Sequence, residues 1–137
     1  LRDFVVPAMS LGTWYMITVT RDAANGWRVY LNGTESTSGS QGRAGTFNVN
    51  TLGNLGSNYS NIVLDEVSIL EGTEASAIQI ASLYNSGNGA NANAVLGSTS
   101  LYYRLNGSGT DITAIDDSGN SNTGTLNNFT GTYWVAH

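Results

Sequence analysis

"WYMITVTRDAANGWRVYL", residues 14–31, contains two runs of alternating side chains separated by a turn signal. In the first run Tyr15, Ile17 and Val19 fall on one side, and Trp14, Met16, Thr18 and Thr20 on the other, which is the period of a strand. In the second, Trp27, Val29 and Leu31 share one face and Arg28 and Tyr30 the other. Asn25-Gly26 between them favours a tight turn with positive φ, so the stretch predicts a β-hairpin. A second turn at Asn32-Gly33 leads into an expected polar edge strand around "TESTS", residues 34–38.

Outward from the hairpin, the same punctuation repeats. "GTFNVNTLG" (45–53) alternates at Phe47 and Val49 and is followed by a Gly- and Asn-rich loop. "NIVLDEVSIL" (61–70) is apolar at both parities, which predicts a strand covered on both sides. Within it Asp65 shares parity with Val63, Val67 and Ile69, and Glu66 points the other way. A carboxylate on a core face needs donors or a cation, because an unpaired buried charge costs several kcal/mol or more. "TEASAIQIASLYNSG" (73–87) is the one expected helix, capped by Thr73, striped by Ala77, Ile80, Ala81 and Tyr84, and ended by Gly87. "NGANANAV" (88–95) reads as a linker. Beyond it, "LYYRL" (101–105) places Leu101, Tyr103 and Leu105 on one face, and "TYWVA" (132–136) predicts a terminal strand.

Composition agrees with an all-β chain. The 137 residues hold 40% hydrophobic side chains, enough for one core, and seventeen Gly, sixteen Asn and a single Pro spread among short segments. Five Arg, no Lys and a net charge of -5 leave no basic stripe to follow a phosphate backbone, so nucleic acid is not an expected partner. With no Cys, neither disulfides nor thiolate chemistry can operate. No apolar run approaches the roughly 20 residues of a membrane span, and no membrane partner is expected.

Three segments together resemble laminin G-like, concanavalin A-like jelly-roll domains. They are "GTWYMITVTRDAANGWRVYLNGT" (Trp14, Tyr30, Asn32, Gly33), "IVLDEVSILEGTEASAIQIASLYNSG" (Asp65, Glu66, Leu83, Tyr84, Gly87) and "LYYRLNGSGTDITAIDDSGNSNTGTL" (Asp117, Ser118, Gly119, Asn120, Gly124, Leu126). The resemblance implies an antiparallel β-sandwich with one short helix. Its order is displaced: a segment like the third normally opens such a domain, whereas here it comes last. The favoured organisation is therefore 1–95 as the second half of a laminin G-like sandwich, with 96–137 as an appended β segment resembling the opening of another. Leu1 at the first position is consistent with a chain cut from something longer. A circular permutant, or sheets completed by a neighbour's strands, are the alternatives.

Catalytic constellations are sparse. Asp65 and Glu66 are adjacent and so face apart on a strand, Glu71 lies beyond it, and the sole histidine is His137, so no enzymatic activity is expected. "DDSGNSNTGTL" (116–126) concentrates aspartates and turn formers. It lacks the Gly and Glu spacing of an EF-hand, with Ser121 or Asn122 at the sixth position. By the resemblance, a Ca2+ ion would join Asp117 to Asp65. The plainer expectation is that Asp117 caps its own turn and Asp65 accepts from loop amides. Trp14, Tyr30, Tyr59, Tyr102, Tyr103 and Trp134 could stack on sugars, although strand aromatics more commonly pack between strands. Four Asn-X-Ser/Thr sequons begin at Asn32, Asn58, Asn106 and Asn128.

These readings point to a non-enzymatic structural and adhesion module on a virion surface. By resemblance in style to phage structural and fibre proteins, it would be a capsid-decoration or tail-fibre component. It would act through self-association or a scaffold protein, with glycans as further contacts. The alternative is a glycan-binding lectin module of a secreted or cell-surface protein.

Overall fold

In a computed structural model of the chain, residues 7–39, 49, 51–55, 58–59, 62–107 and 112–127 are described. They form short antiparallel ladders with short helices between them. β1 (Ile17–Arg21), β2 (Trp27–Leu31) and β3 (Thr34–Gly39) make a three-stranded sheet in that order. β4 (Asn54–Leu55) pairs with β5 (Asn58–Tyr59), inside the stretch expected to be loop. α1 (Ala77–Tyr84) and α2 (Ala92–Leu96) follow β6 (Val67–Ile69). β6 then pairs with β7 (Leu101–Tyr103), and β8 (Thr113–Ala114) pairs with β9 (Gly124–Thr125).

The predicted hairpin forms in the register its turn dictates, with Ile17 opposite Leu31 and Arg21 opposite Trp27. Asp22 accepts the Gly26 amide at 2.7 Å through its side chain, and Asn25 takes φ +64°, which closes the connection. The second turn is of the primed type that matches strand twist, with Asn32 and Gly33 at φ +51° and +77°. Asn32 also ties the turn back to β1, since its Oδ1 accepts the Met16 amide at 3.0 Å. β3 then runs as the expected polar edge, with a register shift opposite Val29 and Tyr30.

Packing, however, divides the hairpin against its hydrophobicity. On β1 Thr20 is buried whereas Ile17 and Val19 are 52% and 47% exposed, although Val29 and Tyr30, on opposite faces of β2, are both buried. Glu74, just before α1, reaches over Thr20 and Arg28 on the even face. Its Oε1 accepts from Thr20 Oγ1 at 2.8 Å and from Arg28 at 2.6 Å. That carboxylate beside Arg28 holds the guanidinium pKa above its usual value, first through the hydrogen bond and then through charge.

α1 starts at Ser76, three residues after the Thr73 expected from sequence. Ser76 Oγ accepts the Gln79 amide and the Gln79 side chain accepts the Ser76 amide, a reciprocal capping box that Thr73 cannot make at this spacing. Of the expected stripe only Ile80 is fully buried, Tyr84 is half-buried, and Ala77 and Ala81 are exposed. Asn85 in the left-handed region ends the helix, ahead of Gly87. The α1 surface sits directly on the β2–β3 turn: a Cβ on Gly33 would lie 3.0 Å from Tyr84 Cβ and 3.3 Å from Ala81 Cα. Gly33→Ala therefore combines a strained φ with a clash against a side-chain root, and is expected to cost about 1–3 kcal/mol in urea unfolding.

Two sequence expectations need correction here. The 61–70 run is not a long doubly covered strand: only Val67–Ile69 pairs, and Ile62, Val63 and Leu64 are exposed. Glu66 at φ +50° breaks the alternation, so parity cannot place Asp65 on the same face as Val67 and Ile69. The 88–95 linker instead contains the start of α2, capped by Asn91, whose Oδ1 accepts the Ala94 amide at 3.0 Å. A short polar segment with Ala at alternate positions has enough helix propensity to close one turn once its cap is in place. Val49 is 41% exposed. Residues 51–53 of the stretch around Phe47 are in no strand, and its residues other than these and Val49, together with the "TYWVA" strand, lie outside the described residues.

Candidate functional site

The chemistry-bearing side chains gather where α2, β7 and the β8–β9 connection meet. Asp116 opens that connection and makes an isolated bridge with Tyr103, which brings the loop alongside β7. Its carboxylate is only 8% exposed and is filled with N–H donors. Oδ1 accepts the Tyr102 amide at 2.9 Å and the Ser118 amide at 3.0 Å, and Oδ2 accepts the Asn122 amide at 2.9 Å. Burial pushes the carboxyl pKa up, but the donors from Tyr102, Ser118 and Asn122 outweigh it and hold the group at about 2.

The rest of the loop closes on the same strand. Asn120 Nδ2 donates to the Thr99 and Ser100 carbonyls at 3.0 and 3.2 Å, and Asn122 Nδ2 to Ser100 at 2.9 Å. Tyr103 in turn donates its hydroxyl to the Asn122 carbonyl. α2 is joined in from the other side: Asn93 Nδ2 donates to the Asp117 carbonyl at 2.9 Å, while Thr99 Oγ1 donates to Asn93 Oδ1. The polar side chains of "DDSGNSN" are thus largely engaged in holding their own backbone against β7.

Asp117, the residue chosen from sequence, faces outward. Its amide donates to the Tyr102 carbonyl at 2.7 Å, and its carboxylate, 41% exposed, lies 3.9 Å from the Arg104 guanidinium. Turn capping falls to Asp116 one residue earlier. The Asp116-x-Ser118 spacing, in which a carboxylate accepts the amide two residues on, is the local signal that points to it. Asp65 is half-buried in the segment leading into β6. Glu66, next to it, accepts from the buried Tyr102 hydroxyl, a partnership no sequence period indicates. Among the described residues no three His, Cys, Asp or Glu side chains gather as a metal-binding group.

No family model matches this chain, and comparison with curated proteins and with solved structures gives no match in either.

Beside the loop is an open recess of about 510 Å³ lined by Arg104, Leu105, Asn106, Gly107, Thr113, Ile115 and Asp117. Its polar groups are a cation, a carboxylate, an amide and a hydroxyl, and Ile115 supplies an exposed apolar wall. Such a mixture can hydrogen-bond hydroxyls on one side and cover C–H groups on the other.

Proposed function

We propose that the chain is a non-enzymatic structural and adhesion module with an antiparallel, concanavalin A-like jelly-roll sandwich as its framework, used on the exterior of a virion as a capsid-decoration or tail-fibre part. The observation that supports it best is the pair of exposed apolar side chains on β1. Ile17 and Val19 stand exposed on β1, an edge strand among the described sheets, while their polar neighbour Thr20 is buried. An edge strand with exposed apolar side chains is suited to contact with another chain, either a second copy or a scaffold protein. The laminin G-like resemblance suggests the framework, and the resemblance in style to phage structural and fibre proteins suggests the particle setting. In the same proposal, 96–137 is the piece that resembles a domain opening, and Asp65 and Asp117 are the residues a Ca2+ ion would use. Calcium calorimetry on chelator-treated protein checks that last element.

A glycan-binding lectin module is the second reading, favoured by the recess that joins Arg104, Asn106, Thr113 and Asp117 to Ile115. Sedimentation velocity over a concentration series separates the two. The assembly reading expects concentration-dependent association that Val19→Asp weakens without loss of folded signal. A stable monomer that binds sugars on a glycan array, and loses them in Arg104→Gln, would overturn it in favour of the lectin.

A further inference from the structure

We propose that Asn106-Gly107 is a self-modification site, at which the Asn106 side-chain amide is converted to a carboxylate and so changes the charge of the recess. Four Asn-Gly pairs occur among the described residues, at 25–26, 32–33, 88–89 and 106–107. Glycine after asparagine leaves the backbone nitrogen unshielded, so local sequence makes all four equally reactive. The fold then separates them.

In the reaction, the Gly nitrogen gives its proton to base in the solvent and attacks the Asn Cγ. A C–N bond forms, the side-chain nitrogen leaves as ammonia, and a five-membered imide results. Water opens that ring at either carbonyl, yielding aspartate or its β-linked isomer. No oxidant or reductant takes part. The step needs a free nucleophilic nitrogen and a side chain that can swing toward it.

Three pairs are denied one or the other. The Gly26 amide is committed to Asp22 Oδ1 at 2.7 Å. Asn32 has its Oδ1 held by the Met16 amide at 3.0 Å, and Gly33 is backed by Tyr84. The Gly89 amide donates to the Tyr84 carbonyl at 3.2 Å, and Asn88 Nδ2 donates to the Asn85 carbonyl at 3.2 Å. Asn106 and Gly107 are both exposed, and among the described residues neither makes a hydrogen bond. No described residue holds the Gly107 nitrogen or the Asn106 side chain.

Position gives the event a consequence. Arg104 and Asp117, 3.9 Å apart, make the recess formally neutral, and conversion of Asn106 adds one negative charge to its lining. The β-linked product also inserts a methylene into the main chain shortly after β7.

The test holds the purified full chain at mildly alkaline pH and follows each Asn-Gly peptide by mass spectrometry, with enzymatic methylation to mark β-linked aspartate. In the native protein Asn106 is expected to convert at least several-fold faster than Asn25, Asn32 and Asn88, and in denaturant the four rates are expected to converge. Gly107→Ala should slow Asn106 several-fold while leaving the other three unchanged. Native conversion at any of the other three that equals or exceeds Asn106 overturns the proposal, as does a ranking that persists unchanged in denaturant.

Discussion

Tyr102→Ala is expected to lower the stability of the folded chain by about 3–5 kcal/mol in denaturant unfolding, the range for deleting a buried aromatic ring. Tyr102 is 1% exposed at the middle of β7, opposite Ser68 of β6. Its hydroxyl donates to Glu66 and lies beside the backbone of Ala92 in α2, a residue that is also buried. Its backbone is equally used, since the amide and carbonyl hold Asp116 and Asp117 respectively. Alanine keeps those backbone bonds and removes the ring, so the loss reports packing. Tyr102→Phe removes only the hydroxyl. Glu66 is exposed and can return to water, so about 1 kcal/mol is expected.

The same tyrosine gives a pH signature. Burial, followed by the hydrogen bond to Glu66, pushes its pKa up from 10.0 to about 12. The folded chain therefore keeps a proton that the unfolded chain loses first. This contribution is fully present below pH 10 and disappears as pH rises toward about 12, a loss of about 2–3 kcal/mol across that window. Tyr102→Phe should remove that alkaline slope, measured as the difference between the two proteins' stabilities at each pH.

What the sequence showed of this fold was set by chain-local physics. Alternation and two Asn-Gly pairs located β1, β2 and β3, because strand faces and turn dihedrals are decided within a few residues. That Thr20 is buried on β1 while Ile17 and Val19 are exposed was not legible. It depends on Glu74 arriving from 46 residues beyond Arg28 to bind it and Thr20. The 61–70 run misled for a related reason: apolar composition was read as a strand, but Glu66 enters the left-handed region and its side chain meets Tyr102, 36 residues away. α2 was hidden by its composition, as Asn-rich text marks loops and helix caps alike, and only the Asn91 contact to Ala94 distinguishes them. At the site, the loop was visible as a concentration of turn formers. The choice between its two aspartates rested on which one β7 approaches.

Asp116→Asn should separate those two aspartates directly, with an expected loss of about 2–3 kcal/mol at neutral pH. The carboxylate of Asp116 gathers three backbone amides from two places in the chain, Tyr102 on β7 and Ser118 and Asn122 in its own loop. An asparagine presents one oxygen and one NH2 group, so at least one buried N–H faces a donor instead of an acceptor. The acid limb of stability tests the same contacts without substitution. Asp116 has its pKa lowered from 3.8 to about 2, so the unfolded chain takes up a proton before the folded one does. Its contribution is complete above about pH 4 and is lost as pH falls toward about 2, roughly 2 kcal/mol in all. Other carboxylates titrate in this range as well, so the informative quantity is the stability difference between wild type and Asp116→Asn, which should shrink across it. Asp117→Asn provides the contrast. Among the described residues its half-exposed carboxylate has Arg104 at 3.9 Å, and the change should stay within about 0.5 kcal/mol. Equal losses for the two variants would mean that the loop is held by charge near Arg104 and not by the amides around Asp116.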